Sequence, residues 1–288
     1  MPEINLTRDE GRVPRLRTPP KACDTHSHVY GPRSDYPHVE GREARFAPLE
    51  VYRAMLDRLG IERTVIVQPS LYGLDNRCTL DAIAALGQDR ARGTAVVTLD
   101  TSQEELRRLH EGGMRGIRIS HGGDELSPEV AGTLARMIAP FGWVLQIQDS
   151  RERWIADAAA SLTDLPVPLI FDHLGRTPAA EGAESDEFRA IVKLVETGRV
   201  WVKISGPYYS SLQSYPHYQD VAERVRILTD ARPDRLLWAL NWPHPGLHVE
   251  GGVDSAEFLD QLLDWVPDET VRTMILADNP GKLYGFDA

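Results

Sequence analysis

The chain is poor in cysteine and has no long apolar run, and both shortages narrow what it can be. Cys23 and Cys78 are its only cysteines, which excludes a framework of several disulfides and suits a reducing compartment. No stretch approaches the roughly 18 apolar residues of a membrane span, and the Pro-, Arg- and Glu-rich N-terminus lacks the apolar core of a signal peptide. We therefore expect a cytoplasmic protein without a membrane partner.

Positive charge is also scarce. The 32 Lys and Arg residues face 43 Asp and Glu residues, a formal net charge of −11. This balance argues against binding to nucleic acid, although a few local arginines can still attract a small anionic ligand. The chain has no internal repeat, and no G-x-G-x-x-G follows an early strand, so a dinucleotide-binding sheet loses its main support. Nothing in the sequence predicts the oligomeric state.

Short β-branched segments alternate with longer amphipathic ones along most of the chain. This alternation predicts a single-domain (β/α)8 TIM barrel at residues 21–288, preceded by an N-terminal extension at 1–20. An open doubly wound sheet is the alternative. The predicted strands are 22–29, 64–68, 93–98, 115–120, 143–148, 167–173, 199–205 and 235–241. The predicted helices are 49–59, 79–86, 103–110, 128–139, 152–162, 186–196, 218–231, 255–265 and 268–277.

Polar side chains follow the apolar segment at nearly every predicted strand end. In a barrel these ends meet at one mouth, where the reactive groups of such folds lie. In chain order they are Asp24, His26 and His28; Gln68 and Ser70; Thr98 and Asp100; Arg118 and His121; Gln148; His173; Lys203 and Ser205; Asn241 and His244. A barrel that served only as a core would not need them.

Three histidines are the strongest catalytic candidates. His26 and His28 are two apart on the first strand and therefore point to the same face, and His173 ends a fully apolar strand. Converging imidazoles can bind a metal or polarise a carbonyl group. Each histidine taken alone could equally be a structural residue with its hydrogen bonds satisfied.

Arg118 has the parity of an inward-facing residue on the fourth strand. A buried guanidinium needs an anion, and its planar fork suits a substrate carboxylate. An ion pair with a barrel acid such as Asp100 is the alternative. Arg176 and Lys203 are candidates for a second carboxylate, and Lys203 could instead be a counter-ion for Asp172. Ser70, Gln148 and Tyr208 also follow strands and are expected to contact substrate.

The segment Asn241-Trp242-Pro243-His244-Pro245 closes the last strand. Asn241 is neutral and cannot take a proton from water, so it is either a substrate contact or a structural amide. His244 stands between two prolines in a rigid turn, where a substrate contact and a structural role are both open.

These motifs resemble the amidohydrolase superfamily, and more closely its branch of 2-pyrone-4,6-dicarboxylate lactonases. The resemblance runs from about residue 20 to 285 and rests on 24–32 (D-x-H-x-H-V-x-G-P), 65–70 (V-I-V-Q-x-S), 112–118 (G-G-M-R-G-I-R), 172–176 (D-H-x-G-R), 242–245 (W-P-H-P) and 279–284 (N-P-x-x-L-Y). The family keeps an Asp before W-P-H-P, where this chain has Asn241. The preceding pair, usually Gly then Ser or Thr, is Ala239-Leu240.

For a site that activates a lactone carbonyl, we expect His26, His28 and His173 to act as N–H donors to the carbonyl oxygen and Asn241 to hydrogen-bond a substrate hydroxyl. The resemblance implies no metal, because this branch works without one; zinc at His26, His28 and His173 is the alternative. Arg118, helped by Arg176, would hold a free carboxylate. The full set expected to contact substrate is Arg118, Ser70, Gln148, Arg176, Tyr208 and His244.

Loss of the water-activating Asp predicts a lactone isomerase of sugar-acid catabolism. One relative of the branch interconverts the 1,5- and 1,4-lactones of D-galactarate, a step in galacturonate and galactarate breakdown, and the same reaction is expected here. Three alternatives stay open. They are a lactone hydrolase with another base such as Asp100 or His244, an inactive sugar-acid-binding barrel, and a metal-dependent hydrolase or decarboxylase.

Overall fold

Eight parallel strands form the centre of the molecule. The computed structural model describes residues 11–44, 46–119, 126–148, 154–250 and 252–286. The strands are β1 Cys23–Ser27, β2 Arg63–Val67, β3 Ala91–Ala95, β4 Met114–Ile119, β5 Val144–Ile147, β6 Leu169–Phe171, β7 Val200–Ile204 and β8 Leu236–Trp238. Each strand pairs in parallel with the next in chain order. Nearly all strand residues are buried, as expected of a parallel sheet covered on both faces.

The helices lie outside the strands and complete a (β/α)8 barrel, as predicted. They are α1 Leu49–Leu59, α2 Arg77–Leu86, α3 Gln103–Glu111, α4 Pro128–Ile138, α5 Trp154–Thr163, α6 Asp186–Glu196, α7 Ala222–Ala231 and α8 Ser255–Trp265. A final helical stretch comprises α9 Glu269–Thr273, a π-helical turn Met274–Asp278 and α10 Asn279–Tyr284. Serine side chains cap three of the helices (Ser102 on α3, Ser127 on α4 and Ser185 on α6) by accepting a backbone N–H of the first turn. Among the described residues, no helix is long and apolar enough to cross a membrane.

Backbone hydrogen bonds between the ends of β1 and β8 close the barrel. The Asn241 N–H donates to the His26 carbonyl at 2.7 Å, and the His28 N–H donates to the Trp242 carbonyl at 2.8 Å. The buried Asp24 carboxyl reinforces this closure because its Oδ1 accepts the Leu240 N–H at 2.9 Å. The histidines of the first strand and Asn241 are therefore held on adjoining backbone.

Four strands, β1, β3, β6 and β8, end two or three residues sooner than predicted, and three of them are followed closely by a site residue. β1 ends before His28, β6 before His173 and β8 before Asn241. His173 and Asn241 have φ angles of 53° and 60°, in the left-handed region that a strand cannot contain. Apolar pattern alone could not locate these ends, because the residues that follow are buried as well.

Some predictions fall outside the described residues. The end of the predicted fourth strand at residue 120, His121 and the start of the predicted fifth helix at residue 152 are among them. The boundary between an extension at 1–20 and the barrel also stays a prediction. Within that extension, Leu16 is buried and its N–H donates to Asp260 of α8 at 2.8 Å.

Candidate active site

A cavity of about 450 Å³ opens at the carboxyl ends of the strands. Six of the predicted site residues line it: His28, Ser70, Arg118, Gln148, His173 and Asn241. Four others, His26, Arg176, Tyr208 and His244, are not among its lining residues. The sequence therefore predicted several residues that line one cavity, but it did not separate these from the residues that lie outside its lining.

The three predicted histidines form one buried cluster. The ring centroid of His26 lies 5.0 Å from that of His28 and 4.7 Å from that of His173. Burial lowers the pKa of His28 to about 3. It also lowers the pKa of His26 and of His173 well below the ordinary value, although Asp172 opposes the shift at both. All three imidazoles are therefore neutral near pH 7.

Hydrogen bonds assign the proton of two of these rings. His28 Nδ1 lies 2.8 Å from the Val67 carbonyl oxygen, which can only accept, so Nδ1 carries the hydrogen. His26 Nδ1 lies 3.2 Å from a carboxylate oxygen of Asp172, which leads to the same assignment. The Nε2 atoms of His26 and His28 consequently present lone pairs. This differs from the expectation that both rings donate an N–H to a carbonyl, since a neutral imidazole has only one N–H.

His173 is the histidine that can donate to a ligand while neutral. Its Nδ1 lies 2.8 Å from Ser205 Oγ, a hydroxyl that can donate to it and leave the hydrogen on Nε2. Gly206 lets the following loop pass close by. A Cβ at this position would lie 3.0 Å from His173 Nδ1 and 2.9 Å from the Tyr209 ring, and the backbone there has a φ of 51°.

Asp172 is the centre of a buried charge network that sequence reasoning only partly anticipated. Oδ1 is 3.2 Å from His26 Nδ1 and 3.4 Å from Lys203 Nζ. Oδ2 accepts from Gln146 Nε2 at 2.8 Å and lies 3.5 Å from Arg118 Nε. Burial alone would raise the pKa of Asp172, but these neighbours lower it well below its ordinary value.

The network answers two questions that the sequence left open, namely the partner of Lys203 and the acid beside Arg118. Lys203 is the counter-ion of Asp172, and burial lowers the pKa of its ammonium to about 8. The acid beside Arg118 is Asp172 and not Asp100. Gln146, inside the barrel on β5, was missed; its inward parity on a strand next to β4 was the available signal. Its Oε1 accepts from Lys203 at 2.8 Å.

Asn241 is held by two tyrosines. Its Nδ2 donates to Tyr208 Oη at 2.7 Å and lies 3.3 Å from Tyr209 Oη. Tyr209 in turn donates to the Pro245 carbonyl at 2.7 Å. The Asn241 Oδ1 atom is buried and has no hydrogen-bond partner among the described residues.

The remaining predicted residues surround this core. The Arg176 guanidinium lies 4.4 Å from the centroid of the Tyr209 ring. His244 packs behind the cavity, where its ring stacks on Phe258 at 4.8 Å and burial lowers its pKa to about 3. Ser70 accepts from Arg42 at 2.9 Å. Arg42 also lines the cavity and lies in a loop that gave no motif in the sequence.

A metal ion would find donor atoms here but an unsuitable charge environment. His26, Asp172 and His173 offer atoms within 4.8 Å of one another. The Asp172 oxygens are already bound by Lys203, Gln146 and His26, and Arg118 lies 3.5 Å away. A divalent cation would therefore stand next to two buried positive charges with one carboxylate to offset all three. We conclude that these residues fit a metal poorly.

The Asp172–Lys203 pair yields a stability prediction. Asp172→Asn should lower the free energy of unfolding by about 3–5 kcal/mol, because it leaves buried positive charge uncompensated. Urea unfolding of Asp172→Asn, Lys203→Met and the double variant forms the matched set. The double variant should lose clearly less than the sum of the two single losses. Strictly additive losses would show that the two groups do not stabilise each other.

Comparison with known proteins places the chain in a family. The family model described as amidohydrolase matches residues 23–286. The chain is 34% identical to 4-sulfomuconolactone hydrolase of Hydrogenophaga intermedia, covering 94% of this chain and 91% of that protein. It is 33% identical to 2-pyrone-4,6-dicarboxylate hydrolase of Comamonas testosteroni (94% and 92% covered) and 30% identical to D-galactarolactone isomerase of Agrobacterium fabrum (95% and 94%).

The fold agrees with these matches. The crystal structure of the apo protein ATU3138 of Agrobacterium tumefaciens superposes with a TM-score of 0.83 at 29% identity, over 94% of this chain and 98% of that one. The resemblance drawn from the sequence motifs is thereby confirmed. The chain belongs to the amidohydrolase family.

Proposed function

We propose that this protein acts on a lactone that carries a free carboxylate, and that it isomerises the ring instead of hydrolysing it. The specific reaction proposed is conversion of D-galactaro-1,5-lactone to the 1,4-lactone. One observation carries the proposal: Asn241 lines the cavity as a neutral amide, so the site lacks an ionisable group there to deprotonate water. The names of the relatives, two lactone hydrolases and a lactone isomerase, support action on a lactone.

The substrate supplies its own nucleophile in this reaction. Its C4 hydroxyl oxygen attacks the C1 carbonyl carbon, the O4–C1 bond forms, the C1–O5 bond breaks, and the O4 proton ends on O5. Intramolecular groups held in a reactive orientation can reach effective molarities of about 10⁵ M or more, far above the concentration of liquid water. An enzyme that fixes the lactone in this orientation therefore favours ring exchange over hydrolysis.

The described residues can be given separate roles. His173 Nε2–H would donate to the carbonyl oxygen as it becomes an oxyanion, a contact typically worth about 3–4 kcal/mol. His28, which lines the cavity with a lone pair on Nε2, would accept the O4 proton and return it to O5. Arg118 would hold the free carboxylate, with Arg176 nearby.

Hydrolysis is the second candidate, and one contact favours it. His26 Nδ1 is paired with the ionised Asp172, while its Nε2 lone pair has no partner among the described residues. A carboxylate–imidazole pair with an open nitrogen can take a proton from water. His26 is not a lining residue of the cavity, so ligand-driven rearrangement would be needed to bring water to it.

We also propose that the reaction needs no metal. Purified protein should contain far less than one zinc per chain, and a chelator should leave turnover unchanged. The reason is that the positive charges of Lys203 and Arg118 repel a metal ion at this site. Elemental analysis and assays with and without chelator test this. One tightly held zinc per chain, lost together with activity and restored with it, would instead support the zinc alternative at His26, His28 and His173.

Isotope labelling separates the two candidate reactions. In ¹⁸O-water the wild-type protein should convert D-galactaro-1,5-lactone to the 1,4-lactone without incorporating label, as followed by NMR and mass spectrometry. Asn241→Asp should begin to release labelled open-chain galactarate, because a carboxylate can accept a proton from water. Asn241→Gly, which tolerates the left-handed backbone without supplying an acid, is the matched control and should not hydrolyse. Labelled galactarate from the wild type would favour the second candidate.

Arg118 tests the carboxylate contact. Arg118→Ala should lower kcat/KM by about 100-fold through loss of a bidentate charge-assisted contact. Arg118→Lys keeps a positive charge near Asp172 but removes the planar fork, so it should recover only part of the loss. Steady-state kinetics on the 1,5-lactone provide the measurement, and unchanged kinetics in Arg118→Ala would remove this role.

A further inference from the structure

The orientation of the Asn241 amide is fixed by its neighbours. The Pro245 carbonyl can only accept, so the 2.7 Å contact uses the single hydroxyl proton of Tyr209. Toward Asn241, Tyr209 Oη can therefore only accept, and the atom that faces it must be the amide nitrogen. The same nitrogen donates to Tyr208 Oη at 2.7 Å. Both hydrogens of Nδ2 are thus directed at tyrosines.

The other end of the amide is left without a partner. Asn241 Oδ1 is fully buried and accepts no hydrogen bond from the described residues, although the side chain lies at the cavity wall. The Tyr209 hydroxyl cannot serve it, because its proton is donated to the Pro245 carbonyl. Buried acceptors are rarely left unsatisfied, because the lost hydrogen bond to water is not replaced.

We propose that Asn241 Oδ1 is a specificity-determining acceptor that binds one hydroxyl group of the lactone. A hydroxyl supplies the missing donor, whereas a carboxylate or sulfonate would bring a second acceptor and be repelled. Arg118 offers the opposite preference at the same cavity. The pair selects a lactone that is both acidic and hydroxylated over one that is only acidic. This inference rests on the proposed function and deepens it by naming the group that binds the substrate hydroxyl.

The left-handed backbone of Asn241 supplies a rival explanation and also the means to test it. Asparagine adopts a φ of 60° more readily than most residues, so it could be present for the turn alone. Asn241→Gly accepts the same backbone and removes only the amide. Far-UV circular dichroism and thermal unfolding check that this variant is folded.

The experiment is a thermodynamic cycle that compares Kd values after removal of the Asn241 amide, of one lactone hydroxyl, or of both. Calorimetry gives Kd for D-galactaro-1,4-lactone and for its three mono-deoxy analogues, which lack the hydroxyl at C2, C3 or C5. One analogue should bind the wild type about tenfold more weakly than the parent, because it leaves the buried acceptor unpaired. In Asn241→Gly the same analogue and the parent should bind equally, while the discrimination against the other two analogues is retained.

Two results would overturn the inference while leaving the proposed function standing. In the first, all three analogues bind the wild type as tightly as the parent. In the second, every penalty seen in the wild type persists in Asn241→Gly. If neither the parent nor any analogue binds, the proposed substrate class itself fails, and the inference fails with it.

Discussion

The site depends on one buried carboxylate that several side chains share. Asp172 binds His26 and Lys203 through one oxygen and Gln146 through the other, with Arg118 close to the second. An ionised group in the interior is tolerated only when its neighbours replace the water it has lost. Here those neighbours come from β1, β4, β5 and β7, so the charge balance of the site depends on how these strands are aligned. The tautomer of His26 follows from them.

Much of this arrangement could be predicted from the sequence because parallel barrels order their reactive groups simply. The alternation of short apolar and longer amphipathic segments predicted the fold, and the polar residues after each strand predicted the position of the barrel mouth. His28, Arg118, His173 and Asn241 all line the cavity as a result. Parity gave less: it placed Arg118 inside but could not tell whether its partner was Asp172 or Asp100, since that depends on how strands stagger around the ring.

The sequence could not predict which ring nitrogens carry a proton or which of the site residues line the cavity. His26 and His28 form one motif, yet only His28 is a lining residue of the cavity. Their Nδ1 atoms meet a carboxylate and a carbonyl from other strands, contacts that no local pattern encodes. His244 stands between two prolines in a turn, but its ring packs on Phe258 of α8. Side chains that approach from distant segments decide these outcomes.

The charges at the barrel mouth do not cancel. Two arginines, Arg42 and Arg118, line the cavity with one carboxylate, Glu43, and behind them Lys203 pairs with Asp172. Positive charge is therefore in excess among these residues, within a chain whose formal charge is −11. An anionic molecule diffusing toward the protein meets repulsion first and attraction only near the opening. Because dissolved salt screens fields beyond about 8 Å at physiological strength, it weakens the outer repulsion more than the inner pull. Capture of an anion should therefore quicken, not slow, as ionic strength rises from very low values.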